Sequence, residues 1–197
     1  WNAAPFARYL VNTVALVSLV LAAQLVLCTL AAYAFARYEF PGRDLAFALV
    51  LVQLMVMPDV LIVENYRSMA RLGILDSTLA IALPYMASAF GVFLMRQYIV
   101  SAVPNELIDA SRVDGCSTIR VFWHVVMPAV RPAAAVLGLL TFLNAWNDFF
   151  WPLIVLTPQN PTVQVAVSAL QSGYVQDYAL VFAGTFISII PLLVIFL

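Results

Sequence analysis

Residues 105–128, NELIDASRVDGCSTIRVFWHVVMP, hold three carboxylates (Glu106, Asp109, Asp114), two arginines (Arg112, Arg120) and the only histidine, His124, in a chain that is just 10% charged. The chemistry open to these groups is narrow. Nucleophilic catalysis needs a hydroxyl or thiol, an imidazole and an orienting acid brought together, and one histidine between Trp123 and Val125 supplies no such set; a packing or interfacial role is expected for it. A phosphate-binding GxxxxGK[ST] loop needs a lysine to reach the terminal oxygens. All nine basic residues here are arginines, so that loop is excluded. Cys28, in an apolar block, and Cys116, in the polar stretch, read as two unpaired thiols. The sequence therefore predicts no catalytic residues, no metal site and no enzyme activity.

A second polar set lies in apolar surroundings. Asn144, Trp146, Asn147 and Asp148 fall midway along the apolar run 133–156. A charge near the middle of a bilayer costs at least a few kcal/mol and is normally turned toward a cavity or a partner. Amides, carboxylates and aromatic faces also suit hydroxyl-rich rings, so these four residues, with Gln53, are candidates for lining a solute pathway. Hydrogen bonding between helices is the alternative. Gln24 carries the same ambiguity, whereas Asp59 and Glu64 read as solvated.

The elements that must position these groups follow from composition. The chain has 197 residues, 64% of them hydrophobic, and a mean hydropathy of +1.00. A soluble fold is about 45–50% apolar, and the excess here falls in blocks of the roughly 20 residues that a helix needs to cross about 30 Å of hydrocarbon. Five such blocks span about 9–36, 45–63, 78–95, 133–156 and 178–197. Pro58 and Pro152 lie in the second and fourth, which a bundle tolerates where neighbours rescue the freed carbonyls. No alternating pattern of about ten residues recurs, which argues against a β-barrel. The expected fold is all-α, one polytopic membrane bundle over 1–197. The chain opens on WNAAPFARYLVNT and stops inside IPLLVIFL, so further sequence is expected on both sides, including a sixth span before Trp1.

Orientation follows from the arginines. Connectors alternate sides, and one side collects Arg37, Arg43, Arg96, Arg112, Arg120 and Arg131 while the other holds Arg8, Arg67 and Arg71. The positive-inside rule places the six in the cytoplasm. Residues 101–131 then form a long cytoplasmic loop with structure of its own. Pro104 suits the first turn of a helix, and Glu106 and Asp109 lie where carboxylates favour an N-terminus. Gly115 offers the left-handed backbone that ends it, and Ser117 can cap a second helix. That helix, about 117–127, carries Ile119, Phe122, Trp123 and Val126 at helical spacing, and Pro128 is expected to stop it.

The segment PNELIDASRVDGCSTIRVFWHVVMPAVRP resembles the cytoplasmic signature of ABC-importer permeases, the EAA loop. The matching positions are Pro104, Leu107, Asp109, Ala110, Ser111, Asp114, Gly115, Cys116, Phe122, Pro128 and Pro132. Asp109 stands where that family has Glu, and Ser111 and Cys116 where it has Ala; all three changes are small in volume. YLVNTVALV, AAYAFARYEFPGR and AWNDFFWPLIVL are similar to the branch that imports maltose, glycerol-3-phosphate and related sugars. The resemblance implies a six-span permease fold of the type I importers and a bacterial or archaeal cytoplasmic membrane. It also implies an ATPase coupled through Glu106, Leu107, Asp109, Ala110, Ser111, Arg112, Asp114 and Gly115, with Ile119, Phe122 and Trp123 packed against the chain's own spans, ATP and Mg bound by that partner and no cofactor in this chain. A homologous sister permease and an external substrate-binding protein are further implied partners, beside membrane lipid and without nucleic acid. Gln159, Asn160 and Gln171 would lie near the binding protein or the pore mouth. The competing expectation is a secondary transporter or channel working without an ATPase; inverted repeats and discontinuous helices would mark it, and no convincing repeat is seen.

Overall fold

The computed structural model describes residues 5–171 and 178–196, and among these every regular element is helical. In chain order the elements are α1 (Phe6–Arg37), α2 (Arg43–Gln53), a 3-10 turn (Pro58–Leu61), α3 (Ile62–Arg71), α4 (Thr78–Tyr85), α5 (Ala89–Ala102), α6 (Asn105–Val113), α7 (Thr118–Val121), a π-helical turn (Phe122–Val126), α8 (Met127–Ala129), α9 (Arg131–Asn147), α10 (Phe150–Val155), α11 (Val163–Gln171) and α12 (Tyr178–Phe196). Among the described residues, only α1 is by itself long and apolar enough to cross a membrane, and three further pairs of helices separated by short breaks qualify when each pair is taken as one span.

The breaks differ from the five unbroken spans expected, and each has a local cause. Residues before a proline are pushed out of the α region. Accordingly α2 ends at Gln53, and Leu54, Met55 and Val56 tighten into i→i−3 bonds ahead of Pro58. Pro84 lies in the last turn of α4, and Ser88 then caps α5, its hydroxyl accepting from the Gly91 N–H at 3.3 Å. In the fourth expected span the helix stops at Asn147, and Asp148 and Phe149 separate it from α10.

The chain gathers into two compact units. One comprises residues 21–60 and 85–141. Its core is Cys28, Ala32 and Tyr33 of α1, Val92, Met95 and Ile99 of α5, then Val103, Ile108, Val121, Phe122, Val126, Val130 and, from α9, Ala133 and Leu137. Close approach is built in at Gly91, where an added Cβ would lie 2.9 Å from Cys28 Sγ and 3.2 Å from a Leu137 methyl. Gln24 does not face a pathway here. It donates to the Tyr85 carbonyl (2.7 Å) and accepts from the Thr141 hydroxyl (2.7 Å), so the helix-to-helix alternative holds for it. Both cysteines are free thiols.

The other unit comprises the residues up to Val20, Leu61–Pro84 and those from Phe142 on. Phe6, Val163 and Val167 form one of its cores, and an added Cβ on Gly184 would stand 2.8 Å from the Phe6 ring. The Thr13 hydroxyl accepts from the Val163 N–H at 3.0 Å and donates to the Tyr9 carbonyl at 2.9 Å. The connectors assigned by the arginine count to the outer side meet in this unit: the Asp76 carboxylate accepts from the Thr157 N–H (2.8 Å) and hydroxyl (2.9 Å), and Arg8 donates to Asn160 (2.6 Å).

Candidate coupling helix and polar pathway residues

The opening stretch folds as a helix, a glycine turn and a second, irregular helix. Pro104, extended at ψ 149°, precedes α6. Glu106 lies in the first turn and Arg112 in the last, each sign matching the end of the helix dipole it occupies. The helix ends as Gly115 adopts φ +78°. The Gly115 N–H then bonds the Arg112 carbonyl and the Cys116 N–H the Ser111 carbonyl, both at 3.0 Å, satisfying carbonyls that a helix end otherwise leaves bare.

One side of α6 is pinned and the other is open. Ile108 is 4% exposed and inserts into the core, with Val103 fully buried just before it. Ser111 is half-buried, its hydroxyl donating to the Ile108 carbonyl at 2.7 Å. Glu106, Leu107, Asp109, Ala110, Arg112, Asp114 and Gly115 are exposed. Leu107 and Val113 present apolar surface among those charges, 51% and 88% exposed.

The second helix departs from expectation in three ways. Ser117 occupies the N-cap position but its side chain makes no capping bond. Pro128 does not stop the helix, which runs on to Ala129 and breaks at Val130. Ahead of the proline the chain widens into the π turn over Phe122–Val126, an adjustment that absorbs a ring lacking an N–H and crowding the preceding turn. The buried face shifts with it. Val121, Phe122 and Val126 are 1%, 2% and 0% exposed, whereas Ile119 and Trp123, expected to pack inward, are 71% and 48% exposed. His124 is exposed, its ring Nδ1 3.1 Å from the Arg120 carbonyl.

The polar set of α9 is divided by burial. Asn144 and Asn147 are exposed, and Asn147 donates to the Leu143 carbonyl one turn back (2.8 Å). Asp148 is half-buried in the break between α9 and α10. Trp146, expected among the pathway-lining residues, faces no open surface of this chain: it is 1% exposed, stacks on Phe142 with centroids 5.5 Å apart and donates from its indole N–H to the Ser188 carbonyl at 3.1 Å. Gln53 is exposed at the end of α2, and Asp59 and Glu64 are exposed as expected. Gln159 is exposed, and Asn160 lines, with Asn12, Asp76 and Thr162, a pocket of about 240 Å³. Gln171 closes α11, but its side chain lies outside the described residues.

Residues 29–197 match the sequence family described as the binding-protein-dependent transport system inner membrane component. The chain belongs to that family. This permease is 32% identical over 187 residues to the arabinooligosaccharides transport system permease protein AraQ of Halalkalibacterium halodurans, an alignment covering 94% of this chain and 67% of that one. It is 36% identical to AraQ of Bacillus subtilis (84% and 59% covered) and 32% identical to the sn-glycerol-3-phosphate transport system permease protein UgpE of Yersinia enterocolitica (96% and 68% covered). The permease thus spans about three fifths to two thirds of the length of these relatives. A solved bacterial ABC transporter involved in the import of the acidic polysaccharide alginate contains a chain of the same fold, with a TM-score of 0.86, 23% identity and 97% of this chain covered. The resemblance to importer permeases carried by residues 104–132 is borne out, as is the all-helical type I importer fold.

Two residues that matter to this architecture were not singled out from sequence. Asp76, at φ +60° in the α3–α4 connector, ties that connector to Thr157; its signal was the cap-forming Asp-Ser-Thr run that opens α4. Arg37 was counted only as a topological charge.

Proposed function

We propose that this permease forms half of the translocation pathway of an ATP-driven importer for a carbohydrate or related polyhydroxylated solute. It is driven by a separate ATPase through residues 105–115. The observation that carries this reading is α6 itself: a nine-residue helix anchored by Ile108, ended at left-handed Gly115, and presenting Glu106, Leu107, Asp109 and Arg112 outward. Charges around an exposed leucine suit a cleft in a water-soluble partner, with the apolar residue at its centre and polar groups at its rim. Because the lysine-free chain holds no P-loop, ATP and Mg belong to that partner. A homologous sister permease completes the pathway, usually as a distinct chain, and a solute-loaded binding protein docks on the outer face, near Gln159, Asn160 and Gln171. The site is a bacterial or archaeal cytoplasmic membrane, crossed several times. The solute class rests on the arabinooligosaccharide and glycerol-3-phosphate systems of the relatives.

Purification of the permease from its native membrane tests the assembly. An ATPase and a second permease-like chain should accompany it, and uptake into vesicles should require ATP; uptake driven by an ion gradient without an ATPase would overturn the proposal. In the pathway, Asn144, Asn147, Asp148 and Gln53 are the contact candidates, and Trp146 supports them from the core. Asp148→Ala should lower the uptake rate or solute affinity about tenfold, the loss of one charge-assisted hydrogen bond of about 1.5 kcal/mol. Unchanged uptake and affinity in the assembled complex would remove Asp148 from the pathway.

A further inference from the structure

The cytoplasmic end of α1 is joined directly to the start of the coupling helix, and the joint is a single guanidinium. Arg37, the last residue of α1, sends one terminal nitrogen to the carbonyls of Ile99 (2.9 Å) and Val103, and the other to the side-chain oxygen of Asn105, the first residue of α6. Ile99 and Val103 are fully buried and close the end of α5. The Ile99 carbonyl also accepts from the Val103 N–H at 3.2 Å, and carbonyls at a helix C-terminus attract a cation. Pro104 separates the two helices and has no N–H with which to fix the turn. The α5–α6 corner, packed through Val103 and Ile108, is therefore also held by a residue more than sixty positions away in the sequence.

From this geometry we infer that Arg37 is a positioning residue of coupling: its planar fork makes α1 follow a displacement of α6, so that a push on the cytoplasmic helix reaches a membrane-spanning one without passing through a flexible loop. The inference rests on the proposed ATPase coupling and adds the route by which it enters the membrane. Charge alone is insufficient for this role. A lysine ammonium is a single point that cannot address two carbonyls and an amide oxygen in the plane that a guanidinium offers.

The test uses the whole complex with its ATPase and binding protein in lipid vesicles, measuring ATP hydrolysis with and without the loaded binding protein. Arg37→Lys should assemble normally and keep unstimulated hydrolysis within twofold, yet lose at least tenfold of the stimulated rate. Asn105→Leu, which removes only the α6 end of the joint, should give a milder loss of the same kind, and Asn105→Asp, which keeps an acceptor, should retain stimulation. Normal stimulation in Arg37→Lys would overturn the inference, as would a loss of the ATPase from the complex in step with the loss of stimulation, because the residue would then serve docking alone. Gly115→Val is run in parallel. If it too leaves stimulation intact, the coupling reading itself fails; if it uncouples while Arg37→Lys and Asn105→Leu do not, only the Arg37 joint is wrong.

Discussion

Gly115→Val is expected to reduce solute uptake at least tenfold while leaving the amount of permease in the membrane unchanged. The cause is backbone geometry and not crowding. Gly115 sits at φ +78°, and a Cβ placed there meets nothing within 4 Å. A residue with a Cβ pays roughly 1–2 kcal/mol in the left-handed region, and a β-branched one is a true outlier there. That strain is relieved if the α6–α7 corner opens. Ile108 and Val121 pin the two helices to the core on either side of the glycine, so the exposed face carrying Glu106, Leu107 and Arg112 has to tilt. Gly115→Asn is the control, because asparagine tolerates the left-handed conformation, and it should retain most activity. Uptake by the valine variant equal to that of the parent would show that the corner angle carries no part of the coupling.

The second large effect concerns stability. Trp146→Ala should lower the thermal midpoint of the permease in detergent by several degrees. Truncating a buried aromatic residue in a soluble core costs about 3–5 kcal/mol. Lipid is as apolar as the core, so the transfer share shrinks and the packing loss remains, leaving roughly 2–3 kcal/mol. Stacking on Phe142 and the bond to the Ser188 carbonyl are both lost. Trp146→Phe keeps ring packing and gives up the hydrogen bond, for about 1 kcal/mol. A midpoint unchanged in the alanine variant would mean that Trp146 does not hold α9 against α12. Wild-type stability with a raised half-saturating solute concentration would instead place the indole in contact with solute.

Particular residues show where reading the sequence worked and where it did not. Gly115 was legible because only a backbone without a Cβ readily takes φ +78°, and helix punctuation is local. The face of the second helix differs from one projected with a constant α-helical period: the π turn over Phe122–Val126 changes the turn size, and the buried side is that of Val121, Phe122 and Val126, with Ile119 and Trp123 outside. The polar quartet at 144–148 was found from its unusual setting, yet its members differ. Asn144 and Trp146 are two residues apart and so point to different sides of α9, one exposed and one buried. No count along the chain tells which side meets a neighbour.

By itself the sequence determined the solvent, the helical class, the absence of a P-loop and the resemblance to the importer permeases, because hydrophobic block length, the lack of lysine and a glycine between two short helices are properties of the chain read locally. Tertiary structure alone decided that Gln24 serves Tyr85 and Thr141, that Trp146 serves Ser188, and that Arg37 grips Ile99, Val103 and Asn105. Each of these bonds joins residues 42 or more positions apart. A polar group in apolar surroundings must find a partner, but which partner it finds depends on which helices the fold brings alongside it.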